Sequence, residues 1–192
     1  MTPRALMILH PGFEEIEAVA PIDLLARAGV QVIQASTDTV LFVTGRNGIT
    51  LQATNLLSDL EDEVFDAVIL PGGPGIIQLR GDIRIIKCLR RHHKNERLVA
   101  AICAAPLLLL DAGLHQDIAY TAHPSTSDEL STARDESVVI DGHFITSQGA
   151  GTATEFALAV VSALCGQDCA HKIATSICWS HPTIQSPHIK DT

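Results

Sequence analysis

Short apolar runs, each stopped by glycine, proline or a polar turn and each followed by a helical pattern, constrain this chain more than any other feature. "RALMILH" (4–10), "VQVIQAS" (30–36), "FDAVILPGG" (65–73) and "LVAAIC" (98–103) read as strands. "EEIEAVAPIDLLARAG" (14–29) reads as a helix with Ile16, Ala20 and Leu24 on one face, bent at Pro21 and ended by Gly29. A second helix covers 82–95, with Ile83, Ile86 and Leu89 inward and its basic residues outward. The spacing further predicts a hairpin-like pair over 40–54, a weaker strand over 117–123, a hairpin over 137–147 and helices over 152–166 and 167–179. Near-continuous apolar strands alternating with helices imply an α/β sandwich whose mainly parallel sheet is covered on both faces. The expected organisation is one domain over 1–180, with 181–192 as a flexible tail.

A length of 192 residues and 46% apolar content suffice for a single core, built from Ile, Leu, Val and Ala because aromatics are only 4%. A formal net charge of −9 argues against nucleic acid, which needs a basic footprint, and no nucleic-acid-binding motif is visible. The first residues turn acidic before an export signal could form, and the longest apolar stretch is too short to span a bilayer and contains Pro106. Five cysteines without framework-like spacing then read as reduced thiols in a cytoplasm.

In such folds ligands gather beyond the carboxyl ends of the strands. There the chain places His10 and "FEEIE", then "PGGPG" (71–75), Cys103, His123 and "QGAGT" (148–152). Cys103, between a strand and the helix opened by Pro106, has the setting of a nucleophile elbow, with small Ala101 and Ala105 two residues to either side. The helix's free N–H groups then face the sulfur, which predicts a thiol pKa lowered toward neutrality. Glu14, Glu15 and Glu17 suit a helix's first turn, and that alone explains Glu14 and Glu15. Glu17 lies about 300° round the helix from Glu14 and assists the thiol only if it is buried and protonated. His10 and His123 are each either structural groups or an acid or base, and His92 and His93 read as a solvated face. Backbone N–H groups of Gly72 or Gly73 and of Ala104 are candidate oxyanion donors. "LPGGPG" lacks both the dinucleotide fingerprint and a Walker lysine, so no cofactor is expected. Cys88 reads as packing. Cys165 and Cys169 have the spacing of a metal pair, but Gly166 between them breaks the helix, so no metal site is expected.

Four motifs, "GFEEIEAVAPIDLLARAG", "LPGG", "AICAAP" and "TSQGAGTATEFALAVV", together resemble the DJ-one/ThiJ/PfpI superfamily, and most nearly its bacterial YajL-like (ThiJ) branch. The resemblance runs in order over roughly residues 4–178. It implies a flavodoxin-like three-layer sandwich, homodimeric, with Cys103 as nucleophile, Glu17 as partner acid, Gly73 and Ala104 as backbone donors and His123 nearby. It further implies that Arg27 and Arg46 lie at the dimer and site rim. Ala104 stands where the amidase-like and protease-like members carry a histidine, which removes their base.

The function so implied is a cysteine-dependent, cofactor-free enzyme of reactive dicarbonyls: a glutathione-independent glyoxalase, or a deglycase acting on glycated protein or nucleotide adducts. The competing readings are a non-enzymatic oxidative-stress sensor or chaperone using the same cysteine, and an amidase or peptidase that Ala104 disfavours.

Overall fold

A computed structural model describes residues 2–180; the expected tail at 181–192 lies outside the described residues. The elements follow in chain order: β1 (Arg4–Leu9), α1 (Glu15–Arg27), β2 (Gln31–Ser36), β3 (Phe42–Thr44), β4 (Thr50–Gln52), β5 (Asn55–Leu56) and β6 (Ala67–Leu70). Then come α2 (Ile76–Leu79), α3 (Ile83–Lys94), β7 (Leu98–Ile102), α4 (Pro106–Asp111), β8 (Val138–Asp141), β9 (Phe144–Ser147), α5 (Ala153–Cys165) and α6 (Gln167–Ser176).

Seven strands form one sheet in the order β5-β2-β1-β6-β7-β9-β8, parallel except for the β8–β9 hairpin. Side chains alternate across a strand, so each strand feeds two cores. Ala5, Met7 and Leu9 of β1 pack with Ala100 and Ile102 of β7 and with α1 and α5; Leu6 and Ile8 pack with Val99, Ala101 and the α3 and α4 side. Helices thus cover both faces of a flavodoxin-like α/β sandwich, which is why the strands read as almost unbroken apolar runs. No helix among the described residues is long and apolar enough to cross a membrane.

Four local expectations are corrected. The inward face of α1 is Glu17, Ala18, Pro21, Leu24 and Leu25; Ile16 is 56% exposed and Ala20 half-buried. A buried carboxyl has taken the place that an apolar residue was expected to hold. The inward face of α3 is Ile85, Cys88, Leu89 and His92, while Ile83 is 57% exposed. His92 is therefore not solvated: its Nε2 accepts the Phe65 N–H (3.1 Å) and its Nδ1 lies 2.8 Å from the Cys88 carbonyl. Residues 117–123 form no strand: Asp117 lies in a turn, Ile118 in a bend, and the N–H groups that follow bond elsewhere. Ala119 N–H goes to Asp141 Oδ2 (2.8 Å), Thr121 N–H to Thr146 Oγ1 (2.9 Å) and His123 N–H to the Cys103 carbonyl (2.8 Å).

The expected hairpin over 40–54 is the separate β3–β4 pair, with Val43 opposite Leu51. Its tip is pinned over the start of α1: Gly12 N–H donates to the Thr44 carbonyl (2.9 Å) and Arg46 N–H to the Phe13 carbonyl (2.8 Å).

Candidate active site

Strand β7 ends at Ile102, and the next residue, Cys103, has φ = 65°, left-handed backbone that is uncommon outside glycine. The sharp turn this makes needs small neighbours, and Ala101 and Ala105 are fully buried on either side. The turn is fastened by Cys103 N–H to the Ser147 carbonyl (2.9 Å) and Ala105 N–H to the Ile102 carbonyl (3.0 Å). Opposite it runs the loop after β6. A Cβ on Gly72 would come within 2.7 Å of Cys103 Cβ, so only glycine lets this loop approach the elbow. Gly73, at φ = 106°, and Ala104 bring backbone N–H groups near enough to the sulfur to favour its charged form.

Glu17 reaches the same point from the first turn of α1 and is completely buried. Its Oε2 accepts the Gly72 N–H at 2.8 Å. Its Oε1 has no partner of ordinary hydrogen-bond geometry, although carboxyl and thiol lie close enough to interact. Burial pushes the Glu17 carboxyl up from 4.5 to about 7, against the pull of the Gly72 N–H and of Cys103.

The thiol corrects an expectation. Burial, followed by the charge and hydrogen bond of Glu17, raises Cys103 to about 12, against the Gly73 and Ala104 N–H groups. The six-residue α4 does not hold the thiol acidic against them. When Glu17 is protonated its charge no longer opposes the thiolate and its O–H favours it, so the two groups titrate as a coupled pair.

Cys103 lines a cleft of ≈ 530 Å³ together with Arg46, Ile77, Ala104 and His123. Nδ1 of His123 accepts the Ser125 N–H (3.2 Å) and lies 2.8 Å from Ser125 Oγ, so its Nε2 carries the proton in the neutral ring. Arg46 stands at the hairpin tip, close enough for its charge to act on Glu17. Arg27 lines no part of this cleft; it lies in the last turn of α1, paired with Asp23 at 2.9 Å. Cys103, Glu17, Gly73, Ala104, His123 and Arg46 are therefore brought together, and Arg27 is not. Among the described residues no group of three or more metal-ligating side chains converges.

Two contributors escaped the sequence reading. Glu15 accepts Asn47 N–H (2.7 Å) and Asn47 Nδ2 (2.9 Å), fixing the hairpin that carries Arg46. Arg80, on the cleft wall, is held by Asp111 (2.7 Å) and Glu129 (2.9 Å). Neither pairing has a local spacing signal, since each joins residues about thirty or more positions apart.

An elbow cysteine facing a buried carboxyl at the strand ends of a flavodoxin-like sheet defines a narrow class of protein. Residues 3–163 match the model of the DJ-1/PfpI family. "Protein dj-1beta" of Drosophila melanogaster is 35% identical over 182 residues, covering 92% of this chain and 97% of that one. "Glutathione-independent glyoxalase DJR-1.2" of Caenorhabditis elegans is 35% identical over 179 residues, covering 91% and 95%. Among solved structures, "Toxoplasma gondii DJ-1, oxidized" superimposes with a TM-score of 0.90 at 33% identity, covering 94% of this chain and 100% of that one. The chain belongs to the DJ-1/PfpI family.

Proposed function

We propose that this protein is a cysteine-dependent, cofactor-free, glutathione-independent glyoxalase that converts small dicarbonyls such as methylglyoxal to 2-hydroxy acids. The observation that carries the reading is the buried Glu17 carboxyl, poised near pH 7 beside Cys103. A general acid–base group works best when its pKa lies near the operating pH. The glyoxalase named among the relatives supports the same reading.

Cys103 sulfur adds to the aldehyde carbon while Glu17 takes the thiol proton and returns it to the carbonyl oxygen, giving a hemithioacetal. The Gly73 and Ala104 N–H groups hold the oxygen as charge develops. Glu17, again a carboxylate, removes the proton from the sulfur-bearing carbon as His123 Nε2–H protonates the neighbouring carbonyl oxygen, giving an enediol. Glu17 delivers its proton to the adjacent carbon while the hydroxyl proton on the sulfur-bearing carbon returns to His123, leaving a 2-hydroxy thioester. Water then displaces the sulfur as the acid leaves, and the thiol is restored. His123 Nε2 borders the cleft and serves the oxygen remote from Glu17. The net change is one dicarbonyl plus one water giving one hydroxy acid. The same hemithioacetal chemistry on a glycated amine is deglycation, which is separated from free-aldehyde consumption by repeating the assay with an aldehyde scavenger present.

The test is lactate production from methylglyoxal without glutathione. The expected result is turnover that Cys103→Ser reduces at least about 100-fold; equal rates for the two proteins end the proposal. The oxidised Toxoplasma relative favours a second reading, in which peroxide converts Cys103 to a sulfinate received by protonated Glu17. A selective gain of about 32 Da at Cys103, without dicarbonyl turnover, decides for that alternative.

We also propose a homodimer, supported by the outward face of α1, where Ile16 and Val19 are exposed in line with Asp23 and Arg27. Sedimentation at micromolar concentration tests it, and a monomer there removes it.

A further inference from the structure

Behind the elbow lies a buried histidine that the proposed mechanism does not use. His10 directly follows β1 and is 1% exposed. Its ring is wedged between two loops: Nε2 lies 3.3 Å from the Pro71 carbonyl and Nδ1 lies 3.1 Å from the Pro11 carbonyl. Both partners are acceptors, and a neutral imidazole has one N–H to offer. Burial lowers the ring's pKa despite these carbonyls and that of Gly72, and no charged side chain contributes to its environment.

The Pro71 carbonyl and the Gly72 N–H belong to one peptide unit, and the described residues contain no cis peptide bond. In a trans unit the two groups point in opposite directions. On one side the unit meets His10 Nε2; on the other, Gly72 N–H donates to Glu17 Oε2 at 2.8 Å. The next N–H along, that of Gly73, is close enough to the Cys103 sulfur to favour the thiolate. The peptide that links ring to carboxyl is therefore the first of two that aim donors at the reacting pair.

We propose that His10 is a positioning residue: its Nε2–H donates to the Pro71 carbonyl and thereby orients and polarises the peptide whose N–H binds Glu17. The proton goes to Nε2 even though the Nδ1 contact is 0.2 Å shorter. Pro71 is buried and its carbonyl has no other donor among the described hydrogen bonds, and a buried carbonyl must be satisfied. Pro11 is exposed, and with His10 and Gly75 it lines a separate cavity of ≈ 380 Å³. Its carbonyl thus has solvent as an alternative. A donor on one end of a peptide strengthens donation from the other, because hydrogen bonds in series polarise one another.

The inference rests on Glu17 as the acid of the proposed reaction, but its test needs no substrate, so absence of dicarbonyl turnover does not decide it. Nitrogen-15 NMR of the ring reads the tautomer directly in the unaltered protein. Protonated Nε2 is expected; a proton on Nδ1 overturns the proposal. Carbon-13 NMR of the Glu17 carboxyl then gives its titration midpoint in variants. His10→Gln carries an amide N–H near the Nε2 position and is expected to keep the unaltered midpoint. His10→Asn carries it near Nδ1 and is expected, like His10→Leu, to shift the midpoint upward by about half a pH unit. A merely space-filling ring predicts the same midpoint in all three, and that result also overturns the proposal. If His10→Leu does not fold, the tautomer and the Gln/Asn pair still decide.

Discussion

The two sides of α1's first turn carry carboxylates two residues apart, and they meet opposite fates. Glu15 and Glu17 both expose little surface, but the Glu17 carboxyl lies much deeper; burial is the largest influence on both, pushing each upward. On the hairpin side, the backbone N–H groups of Asn47 and of Glu15 itself, with smaller help from the Asn47 side chain and the Ile49 backbone, outweigh that push and leave Glu15 below the usual carboxylate range. On the elbow side one N–H, from Gly72, is too little, and Glu17 rises to about 7. Depth and donor number together set the sign of each shift: Glu17 lies deeper and has fewer donors. One side thus spends its hydrogen bonds on architecture, and the other withholds them so that a proton stays mobile.

The sharpest way to break this contrast is Glu17→Gln. It keeps an acceptor for Gly72 N–H but cannot carry a proton between carbon and oxygen. Glyoxalase turnover is expected to fall about 10²–10⁴-fold. Loss of less than tenfold means that the elbow side does not need its mobile proton.

The same variant has an opposite effect on stability. Glu17's carboxyl titrates at about 7 folded and near 4.5 unfolded, so between those values the folded chain binds more protons. Stability therefore falls as pH rises from 4.5 to 7, by up to about 3 kcal/mol. Urea unfolding at pH 5 and pH 8 should show this slope in the unaltered protein and a flatter one in Glu17→Gln. Equal slopes contradict a strained acid.

Where the sequence was legible, local chemistry and fold agreed. The elbow can be read from "AICAAP" because the turn itself demands alanines at 101 and 105, and the sheet from apolar runs because both of its faces are covered. Glu17 was different. Its angle from Glu14 allows several directions, and only resemblance to a family pointed it at Cys103. The face of α1 was misread because burying Glu17 rotates the helix and sends Ile16 outward. His92 looked like part of a basic surface because its partner, the Phe65 N–H, lies 27 residues away. The expected acidity of Cys103 failed for a related reason: helix N–H groups can be inferred from sequence, whereas the depth of the sulfur and the charge beside it come from tertiary packing.

The hairpin side gives the smaller and more discriminating test. Glu15→Gln keeps one carbonyl acceptor for two donors, so it weakens the Asn47 clamp without abolishing it, at a cost of about 1 kcal/mol. Because Glu15's folded pKa is depressed, the stability it supplies is present above 4.5 and is lost as pH falls through its folded value. The unaltered protein should therefore approach the variant's melting temperature in acid, below the window governed by Glu17. Amide exchange should quicken at residues 45–49, whose tip carries Arg46. The Glu17 midpoint should move little, because Arg46 is the last of the influences on it. A large shift of that midpoint in Glu15→Gln, read by carboxyl NMR, is the result that matters most. It means the hairpin and the elbow are one coupled network, and that counting donors on each side separately is wrong.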